Sequence, residues 1–189
     1  MPSPRAQRVR IIGGRHRGRV IRFPADADVR PTPDRVRETL FNWLGQDLAG
    51  RRTLDLFCGT GALSLESLSR GASGAVAVDR NPVLIRAVEA TATALRADGL
   101  ETHVADARTF LMGESRKFDV VFLDPPFDAD PWQWLLPRAL AVLSPNGLVY
   151  AEAGRALEPP PGARLWRHAR AGQVHYHLLQ NDASAAPSA

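Results

Sequence analysis

The sequence is very poor in cysteine and in lysine, with Cys58 and Lys117 the only examples among 189 residues. One cysteine cannot form an internal disulfide or a cysteine-based zinc cluster, so both devices are excluded. No uninterrupted apolar run approaches the ~18 residues that a membrane helix needs. The arginine-rich first 30 residues also lack the apolar core of a signal peptide. We therefore expect a protein of the reducing cytoplasm without a membrane span.

The composition is that of one globular domain with at most a small extension, with 44% apolar and 23% charged residues. Charge is unevenly placed. Residues 1–37 hold ten arginines against three aspartates, a net charge of +7, and the whole-chain value of +4 leaves −3 for the rest. An arginine-rich end favours a polyanionic partner, because guanidinium groups bind phosphates bidentately and counterion release drives association. A solvated arm without a partner is the alternative that charge alone leaves open.

The N-terminal third predicts a small extension followed by a helix. Two short segments rich in β-branched residues, 9–13 and 18–23, flank a glycine–arginine turn and predict a basic β-hairpin within residues 1–28. Thr32 suits a helix N-cap and Pro33 the first helical position. Apolar side chains then repeat every four residues. We expect this amphipathic helix to dock on the core.

Strand and helix patterns alternate from residue 53 onward. This alternation predicts an α/β fold with a doubly wound, mostly parallel sheet, a domain covering residues 29–180, and a small polar tail over 181–189 that we expect to be disordered. The ligand site of such a fold lies beyond the carboxyl ends of its strands. The predicted strands are 54–57, 75–78, 102–105, 118–123 and 148–153, with an antiparallel hairpin of 164–170 and 173–179 at the sheet edge. One helix is predicted over 62–69, and two more begin at the cap-plus-proline pairs Asn81-Pro82 and Asp130-Pro131. Residues 144–147 are predicted to form a turn.

A glycine loop between Asp55 and Gly61 follows the first buried strand, where main chain can approach a ligand closely. It is not a dinucleotide fingerprint, because Ser64 stands where the third glycine would be. Asp55 would repel a pyrophosphate but attract an ammonium group. Asp79, at the end of the second strand, could bind both ribose hydroxyls, and Asp106, at the end of the third, could accept from an adenine amine. These features together describe S-adenosylmethionine.

Each carboxylate alone could be a helix cap or a surface group, but three in register favour the cofactor. The other reactive side chains favour no covalent or metal mechanism. We interpret Cys58 as a small loop residue facing the cofactor rather than a nucleophile, which disfavours carbon-5 methylation of cytosine. His175 and His177 share a strand face without further evident ligands, so we predict no metal site.

The fourth predicted strand runs directly into Asp124-Pro125-Pro126-Phe127. The prolines have no N–H, so the turn presents a carboxylate and main-chain carbonyls as acceptors without competing donors. Such a turn can hold an exocyclic amine with its lone pair directed at a methyl sulfonium. Phe127 can stack on a base withdrawn from its helix. The alternative is that the two prolines only terminate the strand.

The chain resembles the RsmD-type bacterial 16S rRNA (guanine-N2)-methyltransferases, a class I S-adenosylmethionine-dependent family. The resemblance lies in segments 10–19, 30–42, 54–63, 68–72 and 124–127. The last motif is shared with adenine-N6 DNA methyltransferases, whereas the first two are specific to the RsmD type. The resemblance implies methylation of one guanine, of the guanine 966 type, in 16S rRNA. It also implies an RNA-binding extension, a monomeric cytoplasmic enzyme, and a substrate in the assembled small ribosomal subunit.

The resemblance also assigns roles to residues. A glutamate is frequent in this family where Asp79 stands here, which leaves the ribose contact less defined. Carried over by position or expected beside the matching motifs, the catalytic residues are Asp124, Pro125, Pro126 and Phe127; the cofactor-binding residues are Asp55, Phe57, Gly59, Gly61, Asp79, Arg80, Asp106 and Ala107; and the RNA-binding residues are Arg10, Arg15, Arg17, Arg19, Arg22, Arg30, Thr32 and Arg35.

Two other functions remain open. A DNA adenine-N6 methyltransferase would share the Asp124 motif, but it would need a target-recognition domain for which this chain is too short. A non-catalytic RNA-binding factor for ribosome assembly would retain the fold with a vestigial cofactor pocket.

Overall fold

The computed structural model describes residues 7–24, 29, 32–126 and 130–182. Their regular elements are one small two-stranded sheet, one seven-stranded sheet and five helices. In chain order these are β1 Gln7–Arg10, β2 Val20–Phe23, α1 Asp34–Leu44, β3 Arg52–Asp55, α2 Ala62–Ser69, β4 Gly74–Asp79, α3 Pro82–Leu95, β5 Leu100–Val104, α4 Ala107–Gly113, β6 Phe118–Leu123, α5 Trp132–Ala141, β7 Leu143–Ala153, β8 Ala163–Ala171 and β9 Val174–Asn181.

The large sheet has the strand order β5-β4-β3-β6-β7-β9-β8. The first five strands in this order are parallel, whereas β9 and β8 pair antiparallel at the edge. Successive residues of β6 point to opposite faces, so Val121 packs with α4 and α5 while Phe122 packs with α1. The predicted α/β class, with its mostly parallel sheet and antiparallel hairpin, is confirmed. None of the described helices has the length and apolarity that crossing a membrane requires.

The N-terminal hairpin is packed on the domain through one face of its strands and through the segment after β1. Apolar side chains of both strands, including Val9 and Ile21, are buried against α2 and α3. Beyond β1, the main-chain nitrogens of Ile12 and Gly13 donate to the buried carboxylate of Glu66, at 2.8 and 2.7 Å. The hairpin arginines therefore project from a fixed backbone.

Two predicted helix caps are wrong. α1 begins at Asp34 with Pro33 as its N-cap and without any side-chain cap; the hydroxyl group of Thr32 instead lies near the carboxyl groups of Asp124 and Glu152. α5 likewise has Pro131 as its N-cap and no side-chain cap. The carboxylate of Asp130 points elsewhere and pairs with Arg155 at 3.0 Å.

Some predicted boundaries also differ. β3 ends at Asp55, which places residues 56 and 57 in the loop, and β9 extends to Asn181. The predicted turn over 144–147 lies inside β7, where an irregularity in the pairing with β6 accommodates Asn146 at a φ of 63°. Helix α4 was not predicted, because its seven residues are too few for a periodic apolar pattern. Residues 183–189 of the predicted tail lie outside the described residues.

Candidate functional site

A cavity of about 690 Å³ opens at the carboxyl edge of the parallel strands. The loops after β3, β4, β5 and β6 and the segment before α1 supply its walls, as expected at this edge of an open α/β sheet. The sequence-predicted residues that line it are Thr32, Asp55, Phe57, Gly59, Asp79, Arg80, Asp106, Ala107, Asp124, Pro125 and Pro126.

The glycine loop is tied to the acid of the neighbouring strand. The main-chain nitrogen of Gly59 donates to Oδ2 of Asp79 at 2.9 Å, and that of Asn81 donates to Oδ1 at 2.8 Å. A carboxylate offers about four acceptor positions, so two backbone bonds fix Asp79 and leave acceptors free for a ligand. Gly61, the N-cap of α2, lies behind the cavity wall. A Cβ atom there would come within 2.7 Å of the Val88 side chain.

Asp55 is a buried acid at the base of the cavity. Its Oδ2 accepts a hydrogen bond of 3.0 Å from the hydroxyl of Ser64 in α2. Burial raises the pKa of Asp55 to about 7, opposed by the hydrogen bonds it accepts and assisted by the charge of Asp79. A cation placed beside this carboxyl group would favour its ionised form.

Asp106 and Cys58 both line the cavity, but the pKa of Asp106 is lowered and the pKa of Cys58 is raised. Asp106 caps α4: its two oxygens accept from the nitrogen and hydroxyl of Thr109, at 2.9 and 2.6 Å, and these bonds lower its pKa. Its predicted adenine contact would use the remaining acceptor positions.

Burial, with the charges of Asp55 and Asp79, raises the pKa of Cys58, so its thiol stays protonated. That state fits the interpretation of Cys58 as a non-nucleophilic loop residue.

Asp124 begins the turn after β6, followed by Pro125 and Pro126, and it contributes to the cavity wall. Burial, and then the charges of Glu152 and Asp55, raises its pKa well above the ordinary value. The nearby hydroxyl of Thr32 opposes this rise. Phe127 lies outside the described residues, so its stacking role stays a prediction.

Two residues beside Asp124, Tyr150 and Glu152, were not predicted from the sequence. Glu152 is 4% exposed and accepts a hydrogen bond of 2.8 Å from the hydroxyl of Tyr150. Both lie on β7 two residues apart, and therefore on one face of the strand. The available signal was an acid inside an otherwise apolar strand, because a buried strand glutamate needs partners.

The predicted RNA-binding arginines lie at different distances from the cavity. Arg10 pairs with Asp34 at 3.5 Å beside Thr32, near the cavity. The main chain of Arg15 bonds to Ser69, the last residue of α2, whose first turn faces the cavity. Eight helical residues separate these ends by about 12 Å. Arg17 and Arg19 share the hairpin turn with Arg15, Arg22 and Arg35 are exposed on β2 and α1, and Arg30 lies outside the described residues.

Three histidines meet on the β8–β9 hairpin. His175 and His177 share a strand face as predicted, and His168 joins them across the antiparallel pair, with one nitrogen from each ring within 4.8 Å of the others. Both ring nitrogens of His177 are engaged, with the nitrogen of Leu157 at 3.0 Å and the oxygen of Ala151 at 3.2 Å. The three rings are stacked, and Nε2 of His168 lies 3.1 Å from Nδ1 of His175.

The chain matches known proteins over nearly its whole length. Residues 9–180 match the family described as Conserved hypothetical protein 95. The chain is 37% identical over 184 residues to "Ribosomal RNA small subunit methyltransferase D" of Escherichia coli strain K12, covering 93% of this chain and 91% of that protein. It is 34% identical to the protein of the same name from Haemophilus influenzae, with coverages of 92% and 94%.

Solved structures of methyltransferases resemble this chain as well. The "Putative methyltransferase yhhF" from Escherichia coli superposes with a TM-score of 0.84 at 36% identity, covering 94% of this chain and 99% of that one. A "putative methyltransferase complexed with SAH", SMU.776, shares the fold at 16% identity and a TM-score of 0.71, covering 95% of this chain and 57% of that one. The chain therefore belongs to the family of the ribosomal RNA small subunit methyltransferase D proteins, class I methyltransferases that use S-adenosylmethionine.

Proposed function

We propose that this protein transfers a methyl group from S-adenosylmethionine to the exocyclic N2 of a guanine in 16S rRNA. The observation that carries the proposal is that Asp55, Asp79 and Asp124 line one cavity at the carboxyl edge of the sheet. The first two acids suit the cofactor, and the third suits an amine. The names of the relatives point to RNA of the small ribosomal subunit.

The cofactor, when bound, supplies a methyl group on a positively charged sulfur. The carboxyl group of Asp55 would receive its ammonium group, which would return a group with a pKa of about 7 to its ionised form. Asp79 holds free acceptor positions for two ribose hydroxyls while the backbone fixes its orientation. Asp106 and Ala107, at the start of α4, would border the adenine.

The amine is activated by position rather than by a nucleophilic side chain. The lone pair of an exocyclic amine is delocalised into the base ring, so the nitrogen attacks only when it is oriented and its developing charge is stabilised. Asp124 and the carbonyl oxygen of Pro125 would accept its two hydrogens. As the N–C bond forms and the C–S bond breaks, the sulfur keeps the bonding electrons and the nitrogen releases a proton. The raised pKa of Asp124 suits this carboxylate to receive it.

The N-terminal hairpin would hold the RNA away from the reacting base. The turn that carries Arg15, Arg17 and Arg19 is exposed and fixed to the far end of α2, about 12 Å from the cavity loop. Such a separation suits a phosphate contact beside a base that has been withdrawn from its stack. We further propose that a monomer acts on the assembled small ribosomal subunit in the bacterial cytoplasm.

The test is incubation with isotopically labelled S-adenosylmethionine and small ribosomal subunits that lack the modification, with naked 16S rRNA in parallel. Mass spectrometry of the nucleosides should detect labelled N2-methylguanosine, with more product from the particles. Labelled N6-methyladenosine would overturn the guanine assignment and favour an adenine-N6 enzyme. Absence of product, together with no calorimetric binding of the cofactor, would favour the non-catalytic assembly factor.

A further inference from the structure

Glu152 lies beside Asp124 in the sheet. Leu123 of β6 pairs with Ala151 of β7, and the next residue of each strand is Asp124 and Glu152. Thr32, from the segment before α1, lines the cavity with Asp124, and its hydroxyl lowers the pKa of both carboxyl groups. Two acids at neighbouring positions of the sheet thus lie near one hydroxyl group.

In the part of the chain that the structure describes, the surroundings of this pair carry no compensating charge. The titratable groups that face Asp124 and Glu152 are Asp55, Tyr150 and Tyr176, which come from β3, β7 and β9. Among the described residues, neither acid forms an ion pair with an arginine, lysine or histidine. Burying a second carboxyl group without a cation is costly, so a packing role alone does not account for Glu152.

The hydrogen-bond donors are arranged asymmetrically. Thr32 has one hydroxyl hydrogen and can donate to only one carboxylate at a time. Tyr150 donates to Glu152 at 2.8 Å, which gives Glu152 a donor of its own. The hydroxyl of Thr32 is therefore free to orient Asp124 whenever Glu152 is held by Tyr150.

We propose that Glu152 is a positioning residue for methyl transfer: it acts through Thr32 and its own negative charge to orient Asp124 and to strengthen it as a proton acceptor. The inference rests on the proposed function, because it assigns Asp124 the proton that the target amine loses. In that step the N–C bond forms, the C–S bond breaks with its electrons left on sulfur, and the proton moves from nitrogen to the Asp124 carboxylate. Burial raises the pKa of Glu152 as well, and the hydrogen bond that it accepts from Tyr150 opposes that rise. Burial, and then the charge of Glu152, raises the pKa of Asp124, which supports this direction.

The first test is the pH profile of methyl transfer in Glu152→Gln, with whichever nucleoside the wild type methylates as the readout. Glutamine keeps the size and an acceptor for Tyr150 but removes the charge. We expect kcat to fall about 10-fold or more, the acidic limb of its pH profile to move to lower pH, and cofactor affinity to stay within about 2-fold. Glu158→Gln, the same change at an exposed site, is the matched control and should leave the profile unchanged. Unaltered kcat and an unmoved limb in Glu152→Gln would overturn the proposal.

The second test does not depend on turnover. Carboxyl ¹³C NMR titration of the folded protein follows the ionisation of Asp124 directly, and its pKa should fall in Glu152→Gln. Tyr150→Phe, which removes one hydroxyl and leaves the ring in place, should lower that pKa by less, because Glu152 then binds a proton more readily. An Asp124 pKa that is the same in wild type and both variants would refute the inference even if the wild type methylates guanine. A lowered pKa in a protein that methylates no RNA would uphold the electrostatic coupling while the proposed function failed.

Discussion

Oε2 of Glu66 lies 3.3 Å from Nη1 of Arg37, and both side chains are completely buried. The same carboxylate accepts a bond of 2.9 Å from Nε of Arg70 and two bonds from the main chain of the N-terminal hairpin. Arg37 in turn donates to the carbonyl oxygens of Arg10 and Thr32, at 2.8 and 3.2 Å. One buried ionic cluster therefore joins the hairpin, α1, α2 and the segment that lines the cavity.

Glu66→Gln should destabilise the protein by about 3–5 kcal/mol, because it leaves the buried Arg70 without a counter-charge and leaves Arg37 with only the partly exposed Asp34. Glu101→Gln is the matched control: it breaks an ion pair with Arg116 in which both side chains are more than a third exposed, and it should cost no more than about 1 kcal/mol. Urea denaturation at neutral pH measures both. Equal losses in the two variants would show that the buried cluster contributes no more than a surface pair.

Gly61→Ala should weaken both folding and cofactor binding. The residue has a φ of 73°, and its new Cβ would lie within 2.7 Å of Val88, so α3 must move away from the glycine loop. We expect a loss of about 1–3 kcal/mol beyond that of Gly172→Ala. Gly172 has a comparable φ of 61° but open space around it, so the control isolates the steric contact. Denaturation and calorimetric titration with the cofactor check both effects, and similar losses in the two variants would contradict the assignment.

Asp55 predicts how cofactor affinity depends on pH. With a pKa of about 7 in the ligand-free protein, Asp55 must release a proton when a cationic group binds below that pH. Affinity should therefore rise between pH 5.5 and 7.5 with proton release, measurable by calorimetry in buffers of different ionisation enthalpy. In Asp55→Asn most of the rise and of the proton release should be absent. A variant with the wild-type pH dependence would exclude Asp55 as the ammonium partner.

The stability of the ligand-free protein should change with pH in the opposite direction. The folded pKa of Asp55 lies above its ordinary value of 3.8, so its stabilising contribution is complete below that value and is lost as pH rises to about 7. Because the pKa values of other buried acids are also raised, the informative quantity is the difference in free energy of unfolding between wild type and Asp55→Asn. That difference should shift in favour of the variant between pH 5 and 8.

The hairpin arginines predict a salt effect on RNA binding. Replacing Arg15, Arg17 and Arg19 together by glutamine should weaken binding and reduce the slope of log K against log[salt] by about 2, or 0.7 for each phosphate contact on single-stranded RNA. Arg138→Gln, an exposed arginine in α5 on the other face of the sheet, should leave the slope nearly unchanged. Filter binding over a salt series measures it. An unaltered slope in the triple variant would mean that other residues contact the RNA.

The sequence predicts those parts of the fold that local patterns determine. Helix α2 and strand β6 have the predicted bounds, Ala62–Ser69 and Phe118–Leu123, because an apolar run and its flanking glycine or proline residues lie within one short segment. The predicted strand ends also put Asp55, Asp79 and Asp124 together, because the carboxyl ends of parallel strands meet at one edge of the sheet, where the cavity lies.

The sequence could not predict contacts between segments that are distant along the chain. Thr32 has the local signature of an N-cap, yet its hydroxyl lies near the acids at positions 124 and 152. Arg37 and Glu66 look like ordinary surface residues of two helices until the packing of α1 against α2 buries both. The hydrogen-bond partners of such polar groups depend on tertiary packing, because local sequence propensity does not determine which donors will lie nearby.

The most direct test of the central claim is single-turnover methyl transfer by Asp124→Ala at saturating S-adenosylmethionine, with calorimetry to confirm that the cofactor is bound. The turn after β6 is predicted to hold the target amine, so the rate should fall by at least about 10²-fold while the cofactor Kd stays near the wild-type value. A wild-type rate in this variant would contradict the claim that this turn positions the reacting nitrogen.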